Sequence, residues 1–413
     1  MNATLAPLRR RAFRQLVIGR SFATLANALA PVALSFAVLD LTGSLTALGL
    51  VVGVRSLANV ASLLFGGVLA DRVSRGVILQ GTSVASAVSQ GLLALAVLAH
   101  FASLPLLLAL SLVNGVLAAL SLPASAALLP ETVPEEELLP ANAVKRMGSN
   151  IAFIAGSSLG GALVASVGSG WAMVLNAVVQ LVAAACYLTV RLPVVARPAE
   201  RTRPIAELRE GWREFTANRW VWVVVLQFMV VNAAESGAVT VLGPGVADAT
   251  VGRAVWGVLL SVPMAGALAA GLLVARLAIR RALLVGVAAV LTMALPSLTL
   301  ALHPTVPVLA VAMFTTGFAM EFFGVAWDLS LQQNVPADRL ARVYSFDALG
   351  SFLALPLGEM AAGPLAGRIG TRATLLGATT LILLATAAAL VDRSVRSLTV
   401  REPAVAAEQP VPA

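Results

Sequence analysis

Three stretches of this chain carry no charged residue at all. No Asp, Glu, Lys or Arg occurs between Arg75 and Glu131, between Arg146 and Arg191, or between Arg281 and Glu321. Each stretch has room for one or two spans of about 20 residues, the length that crosses a hydrocarbon core of about 30 Å as a helix. Lipid offers backbone N–H and C=O groups no partner, so a spanning segment must satisfy its own hydrogen bonds, which an open strand cannot do. The chain is therefore predicted to be an all-α integral membrane protein. Composition agrees: 59% of residues are hydrophobic and 12% charged, about half the charged share of a soluble domain.

Hydropathy with glycine and proline punctuation predicts twelve transmembrane helices, near residues 13–39, 45–70, 77–99, 104–130, 143–167, 171–191, 220–245, 254–278, 282–302, 307–331, 343–367 and 373–391. Arg9, Arg10, Arg11 and Arg14 precede an apolar run reaching Leu39, longer than a signal-peptide core, so this run is read as a retained first helix. If the N-terminus is cytoplasmic, nearly every basic residue at a helix end or loop falls on the cytoplasmic side, and only Arg253, Arg368 and Arg372 fall outside. The positive-inside rule then predicts a multi-pass protein of the cell membrane, an inner membrane, with both termini cytoplasmic. The same placement of arginines at helix ends, rather than in one patch, argues against a nucleic-acid partner.

The longest connection is rich in proline and charge and divides six helices from six. The expected units are an N-terminal six-helix bundle over 1–192, a cytoplasmic linker over 193–219, a C-terminal six-helix bundle over 220–396 and a disordered tail over 397–413. Within the linker, Ile205, Leu208, Trp212 and Phe215 share one helical face, predicting an amphipathic helix on the membrane surface.

Two motifs recur. Gly67 to Arg75 returns as Gly271 to Arg280, with Ala275 where Asp71 stood, and Leu129 to Leu138 matches Leu331 to Leu340. The helices after the second motif stay in step, pairing Gly156 with Gly358 and Gly161 with Gly363. Two pseudo-symmetric six-helix bundles related by a repeat are the mark of a secondary transporter.

With these residues in view, the chain resembles the major facilitator superfamily over essentially all its helices. Gly67-x-x-x-Asp71-Arg72-x-x-Arg75, between helices two and three, is similar to that superfamily's signature loop, with Ser74 replacing the usual second glycine. Gly156-Ser-Ser-Leu-Gly160-Gly161 in helix five resembles the glycine element of the drug:proton antiporter branch, with Ser157 in place of proline. Asp40-Leu-Thr-Gly-Ser44, Val133-Pro134 and Ala141-Asn142-Ala143 resemble the subgroup holding macrolide-efflux proteins and the enterobactin exporter. The resemblance implies that Asp71 meets the N-terminus of helix eleven, near Arg342 to Ser345, and gates the cytoplasmic side. It also implies that helices three, six, nine and twelve lie outside, facing lipid.

Ionisable groups at bilayer depth are costly, so those retained are functional candidates. They are Arg20 in helix one, Arg55 in helix two, Glu235 in helix seven, Glu321 in helix ten and Glu359 in helix eleven. Glu235 and Glu321 fall near the midplane, where burial disfavours the charged form, as a proton carrier requires. The competing expectation is that one Glu pairs with Arg20 or Arg55 and locks the bundle. Asn27 and Asn232 are candidate substrate contacts, although an amide inside a membrane more often bonds a neighbouring helix.

No Gly-Lys pair exists for a phosphate-binding loop. Two histidines and Cys186 form no ligand cluster at metal spacing. The expectation is thus a monomeric transporter, not an enzyme, with no cofactor and with a small molecule, protons and the lipid bilayer as partners. Helices rich in Ala, Leu, Val and Phe favour proton-coupled efflux of an amphiphilic drug, antibiotic or siderophore, and the alternative is proton-coupled nutrient uptake. A channel or receptor on the same fold is the remaining possibility.

Overall fold

The computed structural model describes the backbone of residues 3–72, 75–190, 212–213, 215–274 and 280–399. Among these residues, twelve helices are long and apolar enough to cross a membrane. They are α1 (Arg11–Thr42), α2 (Leu45–Arg72), α3 (Arg75–Leu98), α4 (Leu104–Leu128), α5 (Leu138–Val167) and α6 (Ser169–Leu188). The second set is α7 (Arg219–Ala249), α8 (Arg253–Leu273), α9 (Ala282–Leu302), α10 (Val306–Asn334), α11 (Arg342–Ile369) and α12 (Thr371–Val391).

Two boundaries depart from the pattern-based expectation for a local reason. The helix α5 starts at Leu138 rather than near residue 143, because Pro140 falls in the first turn, where its missing N–H has no helical partner to lose. The helix α7 continues beyond residue 245 to Ala249, passing through a π turn at Gly237–Leu242, with Pro244 again in a first turn, that of the segment Gly243–Ala249. The helix α11 breaks between Phe352 and Leu355, just before Pro356, the usual cause of a kink.

The two six-helix sets pack alike. In the first, α1 lies on α5 and α6, α2 on α4, and α3 on α4 and α6; in the second, α7 lies on α11 and α12, α8 on α10, and α9 on α10 and α12. The contacts between sets follow the same symmetry, α2 against α11 and α5 against α8. The outward helices α3, α6 and α12 each expose an apolar row, such as Val84, Val88, Leu92 and Leu95 on α3, the face expected to meet acyl chains.

Buried apolar side chains divide into three clusters, and their placement defines the shape. One cluster spans both halves on the side away from the termini, joining Phe36, Leu48 and Val164 to Val241, Trp256 and Ala362. On the side of the termini the cores are separate: Phe13, Leu79 and Tyr187 belong to one, and Trp220, Phe323 and Trp327 to the other. Among the described residues, the apolar cores of the halves are therefore fused at the far side and parted towards the termini.

Of the expected linker helix, Trp212 and Phe215 are described; their rings stack at 5.8 Å and both lie against Phe346 of α11, at 5.7 and 6.0 Å. Ile205, Leu208 and the tail from Val400 lie outside the described residues. Asp392, just beyond α12, accepts bonds from Ser394 and from Arg219 at the start of α7, which hold its carboxyl down to about 2.

Candidate functional site at the seam between the halves

The three acids predicted at bilayer depth all belong to the second half. Glu359 is buried, 2% exposed, where α2, α7 and α11 meet. The Ser236 hydroxyl donates to its Oε1 at 2.6 Å, and Oε2 has no hydrogen-bond partner. Ser56 and Arg55 of α2 lie near enough to interact with this carboxylate, though neither reaches it in hydrogen-bond geometry. Glu235, partly buried midway along α7, sits within electrostatic range of Glu359 and directly before the π turn. Among the described residues it forms neither an ion pair nor a hydrogen bond.

Glu321 behaves differently. Its Oε1 is 2.5 Å from the Arg146 guanidinium of α5, so the pair bridges the two halves. The Arg146 side chain is 68% exposed, facing the parted side, and such a solvated pair contributes little, about 0–1 kcal/mol. The expectation that Glu235 or Glu321 pairs with Arg20 or Arg55 is thus corrected: the partner of Glu321 is a residue two turns into α5, and neither Arg20 nor Arg55 forms an ion pair among the described residues.

Instead, Arg20 and Arg55 line one cavity inside the first half. It offers about 30 Å³ to the centres of water molecules, room for one or two of them. Besides these two arginines, polar side chains of four helices line it: Asn27 from α1; Thr82, Ser83, Ser86 and Gln90 from α3; Asn114 and Ser121 from α4; Asn176 and Gln180 from α6. Gln180 donates to Asn27 Oδ1 at 3.4 Å, Asn114 to Ser89 at 2.8 Å, and Asn176 to the Ala26 carbonyl, leaving the Asn176 Oδ1 buried without a partner. The sequence reading missed Gln90, Asn176 and Gln180. Their signal was the i, i+4 spacing of Asn176 and Gln180 on an otherwise apolar helix.

Asn232 is not brought to this cavity. Its amide donates to the Ser351 carbonyl at 2.9 Å and fastens α7 to α11. The glycines of α5 permit close helix approach. A Cβ on Gly156 would strike the Leu25 backbone of α1, one on Gly160 would crowd Leu29, and one on Gly161 would come within 2.7 Å of the Gly257 Cα of α8. Gly67, Asp71, Arg72 and Arg75 fall at the end of α2 and the start of α3; their side chains lie outside the described residues, as does most of the second copy of that loop.

At the far side Arg253 closes the seam. Its guanidinium reaches Asp40 of the other half at 2.7 and 3.0 Å and Asp248 of its own at 2.8 and 3.0 Å, over the ring of Phe36.

Comparison with known proteins agrees with this architecture. The enterobactin exporter EntS of Escherichia coli O1:K1 is 30% identical over 244 residues, 57% of this chain and 56% of that protein. An uncharacterized MFS-type transporter, YvqJ of Bacillus subtilis, is 24% identical over 280 residues, 66% of each chain. The matched stretch thus spans just over half of the first relative and just under two thirds of the second. Among solved structures, the nucleoside transporter NupG superposes with a TM-score of 0.73 at 16% identity, covering 94% of this chain and 98% of that one. A bacterial homologue of the human lysosomal transporter Spinster gives 0.71 at 18% identity, covering 95% and 98%. The family model for the Major Facilitator Superfamily matches residues 16–359, and with twelve spans in two equivalent bundles the chain belongs to that superfamily.

Proposed function

We propose that this membrane transporter couples efflux of an amphiphilic small molecule, such as a drug, antibiotic or siderophore, to proton entry by alternating access. The observation that carries the reading is the charge arrangement at the seam: Glu321 pairs with Arg146 of the other half, Glu359 lies within electrostatic range of Arg55 of the other half, and Glu235 lies within range of Glu359. Acids held at an interface that opens and closes change solvent exposure as the halves move, which lets them load a proton on one side and release it on the other. The likeness to the enterobactin exporter supports the outward direction. The basic helix ends support cytoplasmic termini, so the parted side would face the cytoplasm. Gly67, Asp71, Arg72 and Arg75 would then close that side in the alternate state, with a single chain as the working unit and no catalytic step. The division at residues 192 and 219 marks the two moving bodies.

The amides lining the cavity keep uptake of a hydrogen-bonding nutrient as the second reading. Proteoliposomes holding a pH-sensitive dye separate the two. Substrate-driven proton flow opposite to substrate is the expected result, and flow alongside it would establish uptake. Glu235→Gln and Glu359→Gln should each abolish proton movement while leaving substrate binding within about threefold. Undiminished proton movement in both variants would remove these acids from the pathway.

A further inference from the structure

The cavity of the first half holds two guanidiniums and, among the described residues, no acid lines it. Arginine cannot shed its charge by losing a proton. A charge at bilayer depth is normally paired, yet among the described residues the half-buried Arg20 forms no ion pair and Arg55 feels Glu359 only at a distance. Lys145 of α5 stands near enough to Arg20 to repel it, so the local potential is more positive still. The buried Asn176 Oδ1, 1% residue exposure, also waits for a donor. Two guanidiniums and a buried amide oxygen without a protein partner thus converge on one polar cavity.

We infer that this cavity is the subsite for an anionic head group of the transported molecule, a carboxylate held between Arg20 and Arg55. Each guanidinium offers a planar fork suited to two oxygens of such a head. The amides of Asn27 and Gln180 add neutral donors, and a head-group hydroxyl or a water completes Asn176. The room available fits a head group rather than a whole amphiphile, so the apolar remainder must extend towards the seam between the halves. This deepens the transporter reading and rests on it: it narrows the cargo from amphiphiles in general to anionic ones.

The test uses the full chain with Asn27→Cys in a Cys186→Ala background, in nanodiscs of zwitterionic lipid. The rate of labelling by a neutral maleimide is measured against added benzoate, benzamide, chloride and sulfate. Benzoate should protect the thiol at about tenfold lower concentration than its neutral isostere benzamide. Adding Arg20→Gln or Arg55→Gln should bring the two within about twofold, while Arg20→Lys retains the preference. Equal protection by benzoate and benzamide, or a preference untouched by loss of either arginine, would overturn the assignment. Protection by chloride or sulfate at the benzoate concentration would also overturn it, showing a resident inorganic counter-ion instead. If an arginine variant fails to fold, the benzoate and benzamide comparison on the intact pair of arginines still decides. The measurement needs no gradient, so its failure is distinct from a failure of proton coupling, which the proteoliposomes read.

Discussion

The guanidinium of Arg253 joins Asp40 of one half to Asp248 of the other with both faces of its fork. At 24% side-chain exposure the contact is partly screened, so its loss should cost about 1 kcal/mol, roughly a fivefold change in the ratio of closed to splayed far ends. Arg253→Lys should lose most of this, because a single ammonium cannot span two carboxylates bidentately. Distances between spin labels on the far ends of α1 and α8 should shift to a longer population in both Arg253→Ala and Arg253→Lys. An unchanged distribution would mean that helix packing alone holds the seam. At this scale the sequence disclosed which groups matter, since charge at bilayer depth is visible in a string of letters. It did not disclose partners. Glu321 meets Arg146 and Arg253 meets Asp40 across sequence separations that no local period encodes, and both depend on how two independently formed bundles come to rest.

The glycines of α5 divide by what they touch. Gly156 faces α1 of its own bundle, whereas Gly161 faces Gly257 of the opposite one. Gly156→Leu should overfill a permanent helix contact and lower the thermal midpoint, at a cost of about 1–3 kcal/mol. Gly161→Leu should lower the midpoint less and stop transport, because the added side chain acts on the approach of α8 rather than on packing within the bundle. Equal loss of stability in the two variants would show that the α5–α8 contact is a fixed part of the folded core rather than a sliding one. The helices themselves were legible, because an apolar run bounded by charges, glycines and prolines has few alternatives in lipid. Their ends were less legible near prolines. Pro140 and Pro244 lie in first turns, which proline tolerates.

Taken whole, the two halves meet chiefly on one side. The shared apolar core, the Gly161–Gly257 contact and the Arg253 fork all lie away from the termini, while the separate cores and the exposed Arg146–Glu321 pair lie towards them. Under the alternating-access reading proposed above, this asymmetry belongs to one of two conformations of nearly equal free energy, and a sequence that carries both cannot declare which one prevails. The repeat predicts two equivalent bundles, and nothing in it ranks the two ways of rocking them. Solvent access therefore has to be measured, and the geometry sets the outcome. Asn27 is exposed and lines the cavity, whereas Thr46 is packed at the far side against Gly363. With Cys186→Ala as background, Asn27→Cys should react with a membrane-impermeant thiol reagent in inverted vesicles and resist it in intact cells. Thr46→Cys should resist in both. Adding Arg253→Ala should raise labelling of both positions from the outside, by up to about fivefold if the fork contributes about 1 kcal/mol. Labelling of position 27 from intact cells before that change would place the parted side, and with it the basic termini, outside. The positive-inside assignment and the direction of efflux would then both have to be reversed.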